Sequence, residues 1–233
     1  MPRITDRRGF GDSSKPAFGY DYDTFAEDLH SLMTELDLRD ATLVGFSMGG
    51  GEVARYIGTY GTERVSMAVF MAAVPPFLLK TADNPTGVDG SVFEGIKQAI
   101  AADRPAFLSK FFADFYNVDV LRGKQISDEV VRLSWNIGAT ASPKATLDCV
   151  STWVTDFRND LQRINIPTLV VHGDADRITP LSATGAPTQA AVKGSRLVVV
   201  KGGPHGLNWT HAEEVNRELL AFVEQAAGVR AEA

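Results

Sequence analysis

One serine in this chain has the neighbours that a catalytic nucleophile needs. Gly45-Phe46-Ser47-Met48-Gly49 follows an apolar run at 41–44 and precedes a helical stretch at 50–60. Such a G-x-S-x-G turn from a buried strand into a helix, a nucleophile elbow, strains the serine backbone and exposes its hydroxyl. We expect glycine at 45 and 49 because a side chain at either position would collide with the neighbouring strand or helix. Chance can supply a pattern this short, so its partners have to be found elsewhere in the chain.

A base and an acid follow the serine in the chain order that an elbow requires. Strand-like runs at 167–172 and 196–200 each lead into a loop, and these loops carry Asp174, Asp176 and His205. The carboxyl ends of parallel strands meet at one edge of a sheet, so the loops are expected near Ser47. His205 would take the Ser47 proton as general base, and an aspartate would fix its tautomer and stabilise the imidazolium. The residues predict serine acyl transfer and leave Asp174 and Asp176 as alternative acids.

Binding groups around Ser47 are less clearly marked. The Met48 backbone N–H comes directly after the serine at a predicted helix N-terminus, where it can stabilise a developing oxyanion. Four apolar residues are candidate walls of a substrate pocket, with core packing as the alternative: Phe77, Ile178, Leu207 and Trp209. The remaining histidines show no ligand spacing with one another, so no metal site is predicted.

Helical and strand-like patterns alternate along most of the chain. We expect helices at 24–36, 50–60, 181–192 and 210–226, and strands at 41–44, 65–73, 166–172 and 196–200. This alternation predicts an α/β fold, a mostly parallel sheet flanked by helices. Between 84 and 160 only helical periodicity remains, with helices at 92–102, 106–116, 129–136 and 143–154, which indicates a helical cap insertion. The predicted organisation is one structural domain plus a cap: 1–83 and 161–233 form the core, and 84–160 the cap.

Composition narrows the class of protein. The 233 residues include 29 acidic and 23 basic side chains, and a net charge of −6 gives no reason to expect nucleic acid or an anionic membrane as partner. Cys149 is the only cysteine, which fits a reducing compartment. The first residues lack the apolar segment of a secretory signal, and the apolar stretch 65–79 is short and interrupted by Pro75-Pro76. We therefore expect a cytoplasmic protein without membrane spans.

Five segments carry a more specific signal: 6–11 (DRRGFG), 19–26 (GYDYDTFA), 45–49 (GFSMG), 51–56 (GEVARY) and 204–216 (PHGLNWTHAEEVN). Together they resemble the bacterial cofactor-free haloperoxidases, α/β-hydrolase-fold enzymes also called non-haem chloroperoxidases, perhydrolases or aryl esterases. The resemblance covers nearly the whole chain. It implies that the nucleophile is Ser47, the base His205, and the acid Asp176 in an Asp-Arg-x-x-Pro motif, with Met48 supplying one oxyanion N–H.

The resemblance also implies a reaction. Ser47 would form an acyl-enzyme from a small ester or carboxylic acid, and water would release the acid. Hydrogen peroxide in place of water would give a peracid that oxidises halide, without any cofactor or metal. Assembly of the chain into a homo-oligomer is compatible with the sequence.

Family members carry further strands before the 6–11 segment, including a His-Gly segment that supplies a second oxyanion donor. The chain is therefore expected to be N-terminally shortened, with the first strands and that donor absent. The alternative function is that of a catalytically impaired, hydrolase-like protein that acts as a binding or assembly module.

Overall fold

The computed structural model describes residues 4–231, with side chains described as far as Gln225. Within this range four strands form one sheet: β1 Ala41–Phe46, β2 Val65–Met71, β3 Thr168–Gly173 and β4 Arg196–Val200. The helices are α1 Tyr22–Glu35, α2 Met48–Tyr60, α3 Gly90–Phe115, α4 Val118–Leu121, α5 Asp128–Thr140, α6 Pro143–Thr152, α7 Arg158–Leu161, α8 Gly185–Ala191, α9 Leu207–Thr210 and α10 Ala212–Ala231. Between residues 4 and 231, none of the helices has the length and apolar character that crossing a bilayer needs.

The sheet brings the ends of its strands to one edge. Its order is β1-β2-β3-β4 and every neighbouring pair is parallel. Phe46 pairs with Met71, Met71 with Val171, and Gly173 with Val200, so the strands end within two residues of one another. The loops that follow β1, β3 and β4 therefore emerge side by side, as the predicted parallel sheet requires.

Helices cover the sheet on both faces because successive strand residues point to opposite sides. Phe70 and Val170 face a core built with α1, α2, α3, α6 and α7, whereas Val69 and Val171 face α9 and α10. Every residue of β2 and β3 is buried, which is why their sequences are apolar runs rather than alternating patterns. The predicted fold class is confirmed by this arrangement.

The segment between β2 and β3 is helical, and its longest helix is broken. Asp103 in α3 has φ −156° and ψ 87°, so the backbone leaves the helical region just before Arg104-Pro105. The Asp103 carboxylate then accepts a hydrogen bond from Ala106 N–H at 3.0 Å and starts the second half of α3. Two helices were expected here, and the break falls between them. The domain boundaries at 84 and 160 stay a prediction.

Several predicted helix bounds differ from the structure, and the starts of three helices are the most informative. α1 begins at Tyr22, not Thr24, because Asp21 is the N-cap and its carboxylate accepts from Thr24 N–H at 2.9 Å. The last helix begins at Ala212 rather than at Thr210, whose hydroxyl lies 3.3 Å from Gly206 O instead of capping the helix. α8 is shorter than predicted and starts at Gly185. Local spacing thus located these helices, but it placed the start of α1 too late and the starts of α8 and α10 too early.

Candidate active site

Ser47 occupies a sharp corner between β1 and α2. Its φ of 54° and ψ of −123° lie in a region that residues with a side chain rarely adopt, and such strain costs about 1–3 kcal/mol. Two backbone hydrogen bonds hold the corner: Ser47 N–H donates to Met71 O at 2.9 Å, and Val74 N–H donates to Ser47 O at 3.3 Å. The half-buried serine side chain is therefore displayed by a rigid turn at the carboxyl edge of the sheet.

The glycines of the corner have unequal importance. A Cβ on Gly45 would lie 2.5 Å from Gly49 O and 2.6 Å from the Gly50 Cα, so no side chain fits there. A Cβ on Gly49 would meet only the Arg7 guanidinium, at an ordinary 3.5 Å. The expectation that Gly49 is required sterically was therefore wrong. Gly50 is the second tight position, because its Cβ would approach that of Ala73 to 2.3 Å.

Ser47, His205 and Asp176 form one hydrogen-bonded chain. His205 Nε2 lies 2.9 Å from Ser47 Oγ, and His205 Nδ1 lies 2.8 Å from Asp176 Oδ2. The side chains of His205 and Asp176 are completely buried. A carboxylate accepts hydrogen bonds, so Nδ1 carries the imidazole proton and Nε2 is left free to accept the hydroxyl hydrogen of Ser47.

The Asp176 carboxylate is surrounded by donors. Its Oδ1 accepts hydrogen bonds from the backbone N–H groups of Ile178 and Thr179, both at 2.8 Å. Burial alone would raise the pKa of Asp176, but the charge of His205 and hydrogen bonds from His172 and His205 hold it well below its usual range. Asp176 is therefore an anion at neutral pH.

Asp174, the alternative acid, has another partner. Its Oδ1 accepts a hydrogen bond from Gly202 N–H at 2.6 Å, in the loop that follows β4. Asp174 thus connects the loop that follows β3 to the loop that carries His205. The geometry brings Asp176, and not Asp174, to the His205 imidazole.

Two residues in this network were missed by sequence reasoning. His172 Nε2 lies 2.7 Å from Thr179 O and 3.4 Å from Asp176 Oδ2, and both side chains of that pair are fully buried. The Thr179 hydroxyl lies 2.9 Å from Asp176 Oδ2, and 3.1 Å from both Ala72 O and His205 Nδ1. Threonine three positions after an aspartate was a usable signal, since that spacing suits a turn closed by the carboxylate. For His172 the sequence held no comparable signal.

Two aromatic rings, one from β1 and one from α3, lie beside the His205 imidazole. The ring centroids of Phe46 and Phe115 lie 5.1 Å and 4.9 Å from the imidazole. Gly206 N–H donates to Phe115 O at 2.9 Å, so the end of α3 is tied to the loop that carries the histidine.

Met48 is the first residue of α2, where a backbone N–H has no acceptor within its own helix and adds to the positive end of the helix dipole.

A cavity of about 740 Å³ opens at Ser47 and Met48. Ile178 lines it, as the sequence suggested. The other three candidate wall residues lie elsewhere. The Arg158 guanidinium lies 5.1 Å from the centroid of the Phe77 ring and covers it. Leu207 is buried in the core beneath α10, and Trp209 is 51% exposed.

Cys149 is buried, and Arg7 and Arg8 are each paired with a carboxylate. Burial raises the pKa of the Cys149 thiol to about 12, so it stays protonated and unreactive at neutral pH. Arg7 pairs with Glu52 and Arg8 with Asp28, which anchors the first described loop to α2 and α1. Among the described side chains, no group of three or more His, Cys, Asp or Glu residues is placed to hold a metal ion.

Comparison with known proteins agrees with this fold and geometry. A family model described as alpha/beta hydrolase fold matches residues 4–212. The chain is 63% identical over 219 residues to a Synechocystis sp. protein provisionally named a non-heme chloroperoxidase, covering 94% of this chain and 79% of that one. It is 36% identical to the bifunctional esterase/perhydrolase of Acinetobacter calcoaceticus, with the same coverage. The crystal structure of bromoperoxidase from Bacillus anthracis matches with a TM-score of 0.91 at 51% identity, over 94% of this chain and 80% of that one.

These matches identify both the fold class of the protein and its family within that class. The class is that of the α/β hydrolases, which the family model covers over most of the chain. Within that class, the chain belongs to the non-heme haloperoxidase family, and it is an enzyme of the hydrolase type. The predicted family and enzyme class are confirmed, and the alternative of a binding or assembly module is not favoured.

Proposed function

We propose that this protein is a serine hydrolase that forms an acyl-enzyme on Ser47 and passes the acyl group to water or to hydrogen peroxide. The observation that carries the proposal is the unbroken contact from Ser47 Oγ through His205 to Asp176, at 2.9 Å and 2.8 Å. The distances are those of hydrogen bonds that can carry a proton between nucleophile and base.

In acylation, each of the three hydrogen-bonded residues has one role. Ser47 Oγ attacks the carbonyl carbon of the ester while its proton passes to His205 Nε2. Asp176 stabilises the imidazolium that results, and the Met48 N–H donates to the carbonyl oxygen as it gains negative charge. The carbon–oxygen bond to the alcohol then breaks, and the imidazolium gives its proton to the leaving alcohol.

Deacylation repeats the steps with a second nucleophile. His205 takes a proton from water, the hydroxide oxygen attacks the acyl carbon, and the carboxylic acid leaves as Ser47 regains its proton. Hydrogen peroxide in the same role gives a peracid. The peracid transfers one oxygen to halide, so the halide is oxidised to hypohalite and the peracid is reduced to the carboxylic acid. The esterase and perhydrolase name of the Acinetobacter relative supports both acceptors.

Hydrolysis of p-nitrophenyl acetate and covalent labelling by a fluorophosphonate test the nucleophile. The wild-type chain is expected to release p-nitrophenol and to carry the label on Ser47, identified by mass spectrometry of the peptide. Ser47→Ala should lose the label and at least about 10⁴-fold in kcat. Ser31→Ala, an exposed serine on α1, is the matched control and should behave as wild type.

The acceptor is tested in the same assay with hydrogen peroxide added. Peracid formation, followed by bromide-dependent bromination of a dye, should depend on Ser47 to the same degree as ester hydrolysis. Label on another residue, or hydrolysis that survives Ser47→Ala, would show that the nucleophile is misassigned. Bromination that survives Ser47→Ala would exclude a peracid formed from an acyl-enzyme on Ser47.

A further inference from the structure

One face of α3 forms a wall of the cavity at Ser47. Val92, Gly95, Ile96 and Ala99 all line it, and their spacing of three and four residues puts them on the same side of the helix. The first half of α3, before the break at Asp103, thus presents the branched apolar side chains of Val92 and Ile96 to the cavity, together with the small residues Gly95 and Ala99.

Gly95 has no structural need to be glycine. A Cβ at this position would meet no atom within 4 Å, and its φ lies outside the left-handed range. By contrast, a Cβ on Gly51 would lie 2.5 Å from Phe157, and one on Gly58 would lie 2.1 Å from Asp160 Oδ1. Glycine inside a helix is less favourable than alanine, so its presence at 95 calls for another reason. The space that a side chain at 95 would take belongs to the cavity.

The remaining walls indicate what the space holds. Val74 and Leu78, each 3% exposed, and Phe107 and Trp153 are further apolar lining residues. The charged lining residues are Lys110, which is exposed, and Asp114 and Arg177, whose side chains are 45% and 41% exposed, so all three are solvated. A cavity of about 740 Å³ is far larger than an acetyl group needs, and apolar walls favour hydrocarbon over polar groups.

The acyl part of an ester is the part that must fit here. It stays bonded to Ser47 through both halves of the proposed reaction, whereas the alcohol leaves after the first half. Ser47 itself lines the cavity, so a chain attached to its oxygen has these apolar walls as its nearest surroundings. Resting on the proposed function, we propose that the enzyme takes esters of medium-chain, unbranched carboxylic acids, and that Gly95 sets the length of chain accepted.

A series of p-nitrophenyl esters tests this assignment. For the wild type, kcat/KM should rise from acetate through butyrate and hexanoate to octanoate, by up to about fourfold for each buried CH₂ group. Gly95→Leu should lower kcat/KM for octanoate at least tenfold and leave acetate within about twofold. Gln98→Leu is the matched control, since it adds leucine to an exposed position of α3 that does not line the cavity, and it should keep the wild-type chain-length profile.

A second measurement separates this inference from the proposed function. The rate of Ser47 labelling by methyl and by octyl fluorophosphonate reports the pocket without requiring turnover. Octyl should label the wild type faster, and Gly95→Leu should reverse that preference. If Ser47 is labelled but neither series responds to chain length or to Gly95→Leu, the acyl-pocket assignment is overturned while the nucleophile stands. A rise with the alcohol chain of alkyl acetates, and none with the acyl chain, would likewise overturn it.

Discussion

The Thr179 hydroxyl lies 2.9 Å from Asp176 Oδ2, the same carboxylate oxygen that contacts His205 Nδ1. The hydroxyl also lies 3.1 Å from Ala72 O, and the Thr179 side chain is buried. One threonine therefore links the ends of β2, β3 and β4 at the point where the carboxylate contacts the imidazole.

Thr179→Val is expected to change the pH dependence of catalysis. It removes a donor from Asp176 Oδ2 at nearly constant volume, so more of the carboxylate charge is available to His205. The imidazolium form is then better stabilised, and the acidic limb of the kcat/KM profile should move to higher pH. Loss of a buried hydrogen bond to a charged group should also lower the free energy of unfolding by about 1.5–3 kcal/mol. Thr179→Ser keeps the hydroxyl and should restore the wild-type profile; an unmoved limb in Thr179→Val would contradict a role beyond packing.

Asp176→Asn is expected to separate catalysis from acid stability. Without the anion, kcat should fall by about 10⁴-fold, as the imidazolium loses its partner. The pKa of Asp176 is depressed in the folded protein, so its stabilising effect is complete above the ordinary carboxyl pKa of about 4 and disappears as pH falls through the folded value. Wild type should therefore unfold at higher denaturant concentration than Asp176→Asn at pH 7, with a gap that narrows below about pH 4. A gap independent of pH would count against the paired anion.

Substitution of Ser47 by two small residues should expose the strain at the corner. Both Ser47→Ala and Ser47→Gly lack the hydroxyl, but only glycine tolerates φ 54° and ψ −123° without cost. After the extra chain entropy of glycine is subtracted, Ser47→Gly should be more stable than Ser47→Ala by about 1 kcal/mol. Thermal denaturation of the two inactive variants measures the difference, and equal melting temperatures would mean that the turn is unstrained.

Alanine at Gly45 and at Gly49 should give opposite results. Gly45→Ala places a methyl group 2.5 Å from Gly49 O, a clash with backbone that should cost about 3 kcal/mol or more. Gly49→Ala meets only the Arg7 side chain at 3.5 Å, so stability should be unchanged or higher by a few tenths of a kcal/mol. Chemical denaturation compares the two. Similar losses at both positions would mean that the elbow needs both glycines after all.

Much of the fold could be predicted because its signals are local. The apolar runs of β2 and β3 are buried on both faces, and so they read as parallel strands without knowledge of their neighbours. Arg104-Pro105 breaks α3 through proline's missing N–H and the carboxylate cap of Asp103, both properties of adjacent residues. The order of a serine, an acidic loop and a histidine along the chain could also be read from the sequence, since each lies at the end of a strand or in the loop that follows one.

What only the tertiary structure decided depends on atoms brought together from distant parts of the chain. Asp174 and Asp176 are two residues apart in the same loop, and only the register of β3 against β4 directs one to Gly202 and the other to His205. The tight approach that makes Gly50 indispensable comes from Ala73, and the cavity wall around Gly95 comes from a helix inserted between β2 and β3. Sequence determined which residues can do the chemistry, because reactivity and local conformation belong to the residue and its neighbours. Packing decided which of them meet, because contact distances are set by the whole fold.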